Sequence, residues 1–285
     1  MNNVVKIGKP KLQNINSKIL GILKWTFFAL VLLLLYVPIL YIIVQSFNNS
    51  TTGEDFGGLT LKWYQKMFEN DGLMQAIYTT ISMAIIATIA SVILGTLAAI
   101  GINALDTKKR KKMILLNNIP VLNADIVTGV FLMLMFRLLN LFLPNVFGYF
   151  SMLFSHIFFC IPYVILSILP KLNEIDNNLF DAALDLGCKP VGALWKIIIP
   201  SIKSGIVSGA LIAFTMSIDD FVISYMTGGN GVENFSMWLF SIKNPLRNNA
   251  FQMASAYNTI ISVGTLLILV IYNVVIKRKK KGINR

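Results

Sequence analysis

Six apolar stretches, each long enough to cross a lipid bilayer as a helix, dominate the sequence. They fall at residues 26–47, 73–105, 113–136, 150–169, 204–226 and 254–276. A bilayer core is about 30 Å thick, so roughly 20 apolar residues span it as a helix. Within it every backbone N–H and C=O must be bonded inside the segment, which makes helix the form open to such runs. Four of the six contain no Asp, Glu, Lys or Arg; Asp125 lies in the third, and Asp219 and Asp220 lie in the fifth. The expected fold class is therefore an all-α membrane protein with six transmembrane helices. The first run is too long for a signal-peptide core and is not followed by a small-residue cleavage site, so it is expected to stay as an anchor. The whole chain is 55% hydrophobic and only 13% charged, against about 25% charged for a soluble domain.

The charges that remain lie between and beyond the runs. Of 25 Lys and Arg, 20 fall on one side of the alternating connections. That side holds Lys6 to Lys24, the block Lys108–Lys112, then Lys171, Lys189, Lys196 and Lys203, and the tail Lys277–Lys281 with Arg285. Lys62, Lys66, Arg137, Lys243 and Arg247 fall on the other. Cytoplasmic connections carry the Lys and Arg excess, so both termini are expected in the cytoplasm and the chain in the cytoplasmic (inner) membrane. The same placement explains the net charge of +12 without nucleic acid, and the basic tail reads as a topology anchor rather than a lipid-binding cluster. Three segments follow: a basic arm at 1–25, a transmembrane domain at 26–276 with a cytoplasmic loop at 171–203, and a basic tail at 277–285.

Helices in lipid associate by close packing of small residues. Ala87, Ser91, Gly95 and Ala99 recur every four residues in the second run, and Gly205, Gly209, Ala213 and Ser217 in the fifth. Each set makes one helix face, so both helices are expected at the centre of the bundle.

Several chemistries lack their residues. Cys160 and Cys188 form no metal spacing and no disulfide framework, and the one histidine, His156, reads as a hydrogen-bonded packing residue. No phosphate-binding GxxxxGK[ST] loop is present. No metal or cofactor site is expected, and any ATP used must be hydrolysed by a partner.

The connection 171–203 is far longer than a simple helix return needs. Asn178 can cap a helix from Leu179 with Asp181 three residues on, and Gly187 can end it. Pro190 suits the first turn of a second helix, whose apolar face would be Val191, Leu194, Trp195 and Ile198. Pro200 is expected to stop that helix at Ile199. The pattern alone fits either a surface helix pair or a docking element for a cytoplasmic partner.

Here the chain resembles a known family. Asp181-Ala182-Ala183-Leu184-Asp185-Leu186-Gly187, then nine residues, then Ile197-Ile198-Ile199-Pro200 is similar to the EAA motif, E-A-A-x3-G-x9-I-x-L-P, of the permease subunits of ABC importers. Asp181 stands for Glu and Ile199 for Leu. The stretches 154–163 and 217–224 extend the likeness to the PotC type of spermidine/putrescine permease. The resemblance implies a type I importer bundle with no enzymatic activity of its own. It implies a coupling role for Asp181, Ala182, Ala183 and Gly187, and polyamine as cargo. The implied partners are a cytoplasmic ABC ATPase dimer, a second permease subunit in a heterodimer, and an extracytoplasmic substrate-binding protein.

Ionisable groups inside a span are usually functional. Asp219, Asp220 and Asp125 suit a cationic cargo by lowering its cost of leaving water, or they pair with Arg137 or cap a broken helix. On a continuous helix the two adjacent aspartates point about 100° apart, which separates their roles. Phe221 and Tyr225, one turn apart, either narrow the path or pack. In the outer loops, Trp63 and Tyr64 are expected at headgroup level, and Glu233 and Trp238 are available to a binding protein. The competing readings are a stand-alone ion-coupled transporter, which often carries broken-helix repeats absent from this sequence, and an intramembrane enzyme, for which no nucleophile motif is present.

Overall fold

The computed structural model describes residues 12–50, 55–176, 178–229, 231–243 and 249–283. Lys6, Lys9, Lys11, Glu54, Arg247 and Arg285 lie outside them. In chain order the helices are α1 (Leu12–Ser46), α2 (Lys62–Glu69), α3 (Asp71–Asn103), α4 (Thr107–Leu122), α5 (Asp125–Leu139), α6 (Tyr149–Asn173), α7 (Asn178–Asp185) and α8 (Pro190–Ala193). A π-helical turn (Leu194–Ile198) leads into α9 (Ile199–Ser201), followed by α10 (Lys203–Ile218), α11 (Val222–Thr227), α12 (Phe235–Ser241) and α13 (Ala250–Ile283). The chain divides into two compact units, one of residues 1–67 with 244–285 and one of residues 68–243.

In the first unit α1 packs against α13. The turn after α1 is organised by Asn48. Its side-chain oxygen accepts the N–H groups of Ser50 (3.1 Å) and Gly57 (2.9 Å), and its amide donates to the Asp55 carbonyl at 2.8 Å. Its own carbonyl accepts the Trp63 indole N–H at 2.6 Å, and Trp63 is fully buried. Tyr64 is likewise held, its hydroxyl 2.9 Å from Ser46 Oγ. This corrects the headgroup-belt expectation for Trp63: a buried indole N–H needs an acceptor, and this loop supplies one.

In the second unit α3, α6 and α10 pack against one another. α3 begins where the Asn70 side chain accepts the Leu73 N–H at 2.9 Å. At about 1.5 Å per residue its 33 residues run roughly 50 Å, well beyond one bilayer core. Both small-residue faces are buried as the spacing predicts, and each meets α6. A Cβ on Gly95 would stand 2.8 Å from Val164 Cγ1, and one on Gly209 2.5 Å from Ser167 Oγ. Polar groups join the same seams: Ser91 Oγ donates to the Ile157 carbonyl at 3.3 Å, and Ser167 Oγ to the Gly205 carbonyl at 3.2 Å. α6 is thus the shared neighbour of the two helices expected at the centre.

Among the described residues, four helices are long and apolar enough to span a membrane alone, and up to six spans result if two bent pairs each count as one. The third run is not one straight helix: α4 and α5 meet at a 99° bend. Asn123 and Ala124 are extended there, and Asp125 falls in the first turn of α5. Asp favours a helix N-terminus, where the dipole is positive, so this sequence starts a helix in mid-run. The fifth run is also interrupted, after Ile218. A further bend of 69° separates Pro190–Ser201 from α10. Pro200 does not stop its helix at Ile199, contrary to expectation. Ile199 remains helical, and its N–H reaches back five residues to the Leu194 carbonyl. That wider π register precedes a proline without an N–H, and the chain breaks only at Ile202.

Candidate functional site

Two structured regions hold the residues singled out by the sequence. The first is the break between α10 and α11. Asp219 ends α10 and is exposed, whereas the Asp220 side chain is only 7% exposed. Asp220 serves as the cap of α11. Its Oδ2 accepts the Ser224 N–H at 2.7 Å and the Ser224 hydroxyl at 2.8 Å, and its Oδ1 accepts the Ile223 N–H at 3.3 Å. The two aspartates therefore do not sit on one continuous helix. Among the described residues Asp219 has no hydrogen-bond or ion-pair partner, and Asp220 is occupied.

Behind Asp220 lies a closed polar network. His156 Nδ1 is 2.7 Å from Ser217 Oγ, and its Nε2 is 2.9 Å from Ser224 Oγ and 3.5 Å from Asp220 Oδ2. The carboxylate can only accept, so Ser224 gives it its single hydroxyl proton. Ser224 Oγ then accepts from His156 Nε2–H, and a neutral ring takes the Ser217 proton at Nδ1. Asn234 closes the network from α12. Its amide donates to the Asp220 carbonyl at 2.6 Å and to Ser224 Oγ at 2.9 Å, while its oxygen caps α12 by accepting the Met237 N–H at 2.9 Å. Next along, the Phe235 N–H donates to Thr80 Oγ1 on α3 at 2.8 Å. His156 and Asn234 are both 1% exposed. His156 thus has the hydrogen-bonded packing role read from the sequence. Asn234 and Thr80 escaped that reading. Asn before an apolar run is a cap signal, but its second set of bonds is not local.

The rings of Phe221 and Tyr225 stack with centroids 5.5 Å apart, and Phe240 of α12 adds a third face, 4.9 Å from Phe221 and 6.0 Å from Tyr225. Tyr225 and Phe240 are exposed. Phe240 was not foreseen, since α12 lies in a loop by hydropathy. Asp125 lies at the N-terminus of α5, exposed, and α5 packs along α11. No ion pair links Asp125, Asp219 or Arg137 to any partner among the described residues.

The second region is the loop of α7 to α9. α7 starts at Asn178 rather than Leu179, and the Asp176 carboxylate, not Asn178, accepts the first free N–H, at 3.0 Å. α7 ends at Gly187, whose φ of +82° is left-handed. The Cys188 N–H bonds to the Ala183 carbonyl at 3.0 Å and the Gly187 N–H to that of Leu184 at 2.8 Å. This pair of bonds is the Schellman stop, which glycine alone enters without strain. Ala183 is buried while Asp181, Ala182 and Gly187 are exposed. The apolar face of the second helix is split. Leu194 and Ile198 join Phe180 in lining a cavity of about 320 Å³ against the ends of α3 and α6, whereas Leu186, Val191 and Trp195 point outward, 89%, 67% and 64% exposed.

Known proteins resemble this chain in sequence and in fold. Residues 113–281 match the family described as the binding-protein-dependent transport system inner membrane component. The spermidine/putrescine transport system permease protein PotC of Escherichia coli (strain K12) is 30% identical over 92% of this chain and 96% of its own length. PotC of Haemophilus influenzae is 31% identical over 90% and 97%. The putrescine permease PotI of Escherichia coli (strain K12) is 32% identical over 73% and 75%. Among solved structures, a bacterial ABC transporter that imports alginate matches with a TM-score of 0.67 at 16% identity, covering 95% of this chain and 99% of that one. The chain belongs to the family of inner-membrane components of binding-protein-dependent transport systems: it is a multi-pass permease subunit of an ABC importer, without catalytic activity of its own.

Proposed function

We propose that this permease subunit moves a polyamine, spermidine or putrescine, through the cytoplasmic membrane, and that Asp219 carries the contact with the cation. The supporting observation is the division of labour at the α10–α11 break: Asp220 is bonded to Ser224 and Ile223, leaving Asp219 exposed two residues before Phe221, whose ring stacks on Tyr225. A carboxylate offsets the desolvation of an ammonium, and an aromatic face attracts it further. The names of the PotC and PotI relatives point to the same cargo. Asp125, at the head of α5, is a second acidic stop on the pathway.

The subunit works with a second, different permease, a cytoplasmic ABC ATPase dimer and an extracytoplasmic binding protein. One solved relative of this fold is a complex with a periplasmic ligand-bound protein. Both termini and the α7–α9 loop lie in the cytoplasm, as the Lys and Arg distribution supports. The outward Leu186, Val191 and Trp195 sit against the ATPase, with Asp181, Ala182, Ala183 and Gly187 setting the shape of the element. ATP-driven motion of this element rocks the α3–α6–α10 core between inward- and outward-facing states. Family membership sets aside the ion-coupled transporter and the intramembrane enzyme.

The test is uptake of labelled spermidine and putrescine by cells expressing the full importer. Asp219→Asn lowers uptake at least tenfold, with normal amounts of assembled complex; wild-type uptake in that variant removes Asp219 from the pathway. Gly187→Val, which forces a β-branched residue to positive φ, leaves the subunit inserted but abolishes cargo-stimulated ATP hydrolysis.

A further inference from the structure

The first turn of α3 lies about 40 Å along that helix from the coupling-loop cavity, counting from Gly72 to Ile100 at about 1.5 Å per residue. A second, small cavity of about 140 Å³ opens there, lined by Gly72, Gln75, Ala76, Gly231, Glu233 and Trp238. Its floor is firm. Trp238 is 9% exposed, with its ring 6.4 Å from Phe235. A Cβ on Gly72 would stand in van der Waals contact, 3.5 Å from the indole nitrogen, so glycine leaves that side of the cavity clear of a side chain. Gly231, at φ +88°, turns the chain so that Glu233 reaches the rim. Glu233 is exposed and makes no ion pair among the described residues. The α3 helix end does not oppose a cation here, because Asn70 caps the Leu73 N–H and Asp71 occupies the first turn.

We propose that this cavity is a recognition site for a primary ammonium group, which it receives before Asp219 does. An ammonium has three donors and no acceptor. Glu233 offers a carboxylate, Gln75 an amide oxygen and Trp238 an indole, the strongest of the cation–π faces. The volume admits one ammonium with its first methylenes, the end of a linear polyamine and not the whole of it. The site is joined to the α10–α11 break through one residue. Asn234, next to Glu233, donates to the Asp220 carbonyl at 2.6 Å, so occupation of the cavity bears directly on the segment that presents Asp219. The inference rests on the polyamine reading and on the orientation given above. The same chemistry could come from the cargo or from a lysine of the docked binding protein, and the experiment separates them.

The complete importer is reconstituted with its binding protein, and uptake and binding-protein affinity are measured for wild type, Glu233→Gln, Trp238→Phe and Trp238→Leu. An exposed ion pair and an exposed cation–π contact are each worth about a two- to fivefold change in affinity. Glu233→Gln and Trp238→Leu raise KM for spermidine and putrescine by that factor, with ATPase activity retained, and Trp238→Phe raises it less. If affinity for the cargo-free binding protein is unchanged, the ammonium is the cargo's. If it falls by the same factor, the ammonium is a lysine of the binding protein. Wild-type KM and wild-type docking in Glu233→Gln, in an importer that takes up polyamines normally, overturn this site while leaving the polyamine reading intact. A wild-type importer that takes up no polyamine overturns that reading and the cargo assignment together.

Discussion

Two of the membrane runs are broken near an aspartate, and the chain treats the two breaks oppositely. At the α4–α5 bend, Ala124 makes no side-chain cap, Asp125 is exposed and α4 contributes no buried residue. Among the described residues the turn is closed by backbone bonds, from Asn123 to the Ile119 carbonyl and from Val127 and Thr128 to the Ala124 carbonyl. At the α10–α11 break, Asp220, Ser224, His156, Ser217 and Asn234 form a buried network drawing on α6, α10, α11 and α12. A buried polar network is costly when partly satisfied and rigid when complete. The second break is therefore a fixed bracket that holds the exposed Asp219 in place. The first is a turn without such a network among the described residues.

The difference can be broken most severely at Asp220. Asp220→Ala strips α11 of its cap and leaves the Ser224 N–H and hydroxyl and the Ile223 N–H without their acceptor, a loss of about 2–4 kcal/mol. The purified complex should melt several degrees lower, with uptake lost in proportion to the folded protein that remains. An unchanged melting temperature would mean the network is not a bracket. Asn234→Ala removes one cap and two tethers of the same network and should cost about 1–2 kcal/mol, read in the same melt. Ala124→Pro probes the other break and should move stability the opposite way. Ala124 has φ −64° and ψ 143°, which proline adopts, and the preceding Asn123 is extended as proline requires. Restricting the unfolded chain there stabilises by about 0.4–1 kcal/mol. If the α4–α5 angle changes during transport, this more stable variant transports more slowly; equal uptake would show a static bend.

The EAA-like loop was the most legible part, because its signals are local. Gly187 ends α7 and Pro190 opens α8 for reasons contained within a few residues of each. The start of α7 was misplaced by one residue because Asp176, not Asn178, takes the first amide. The π turn before Pro200 was missed because a proline normally ends a helix unless the preceding register widens.

The sequence by itself determined that the chain crosses a membrane repeatedly, which helix faces pack, and where the loop helices turn. Each of these follows from hydrophobic length, four-residue periodicity or a cap, all properties of neighbouring residues. Only the tertiary structure decided which aspartate is free. Asp219 and Asp220 are chemically alike and adjacent. What separates them is a histidine 64 residues earlier and an asparagine 14 residues later, brought together by packing that α6 and α12 complete. The same reason buried Trp63: an indole's surroundings depend on which distant carbonyl reaches its N–H, and no local pattern encodes that.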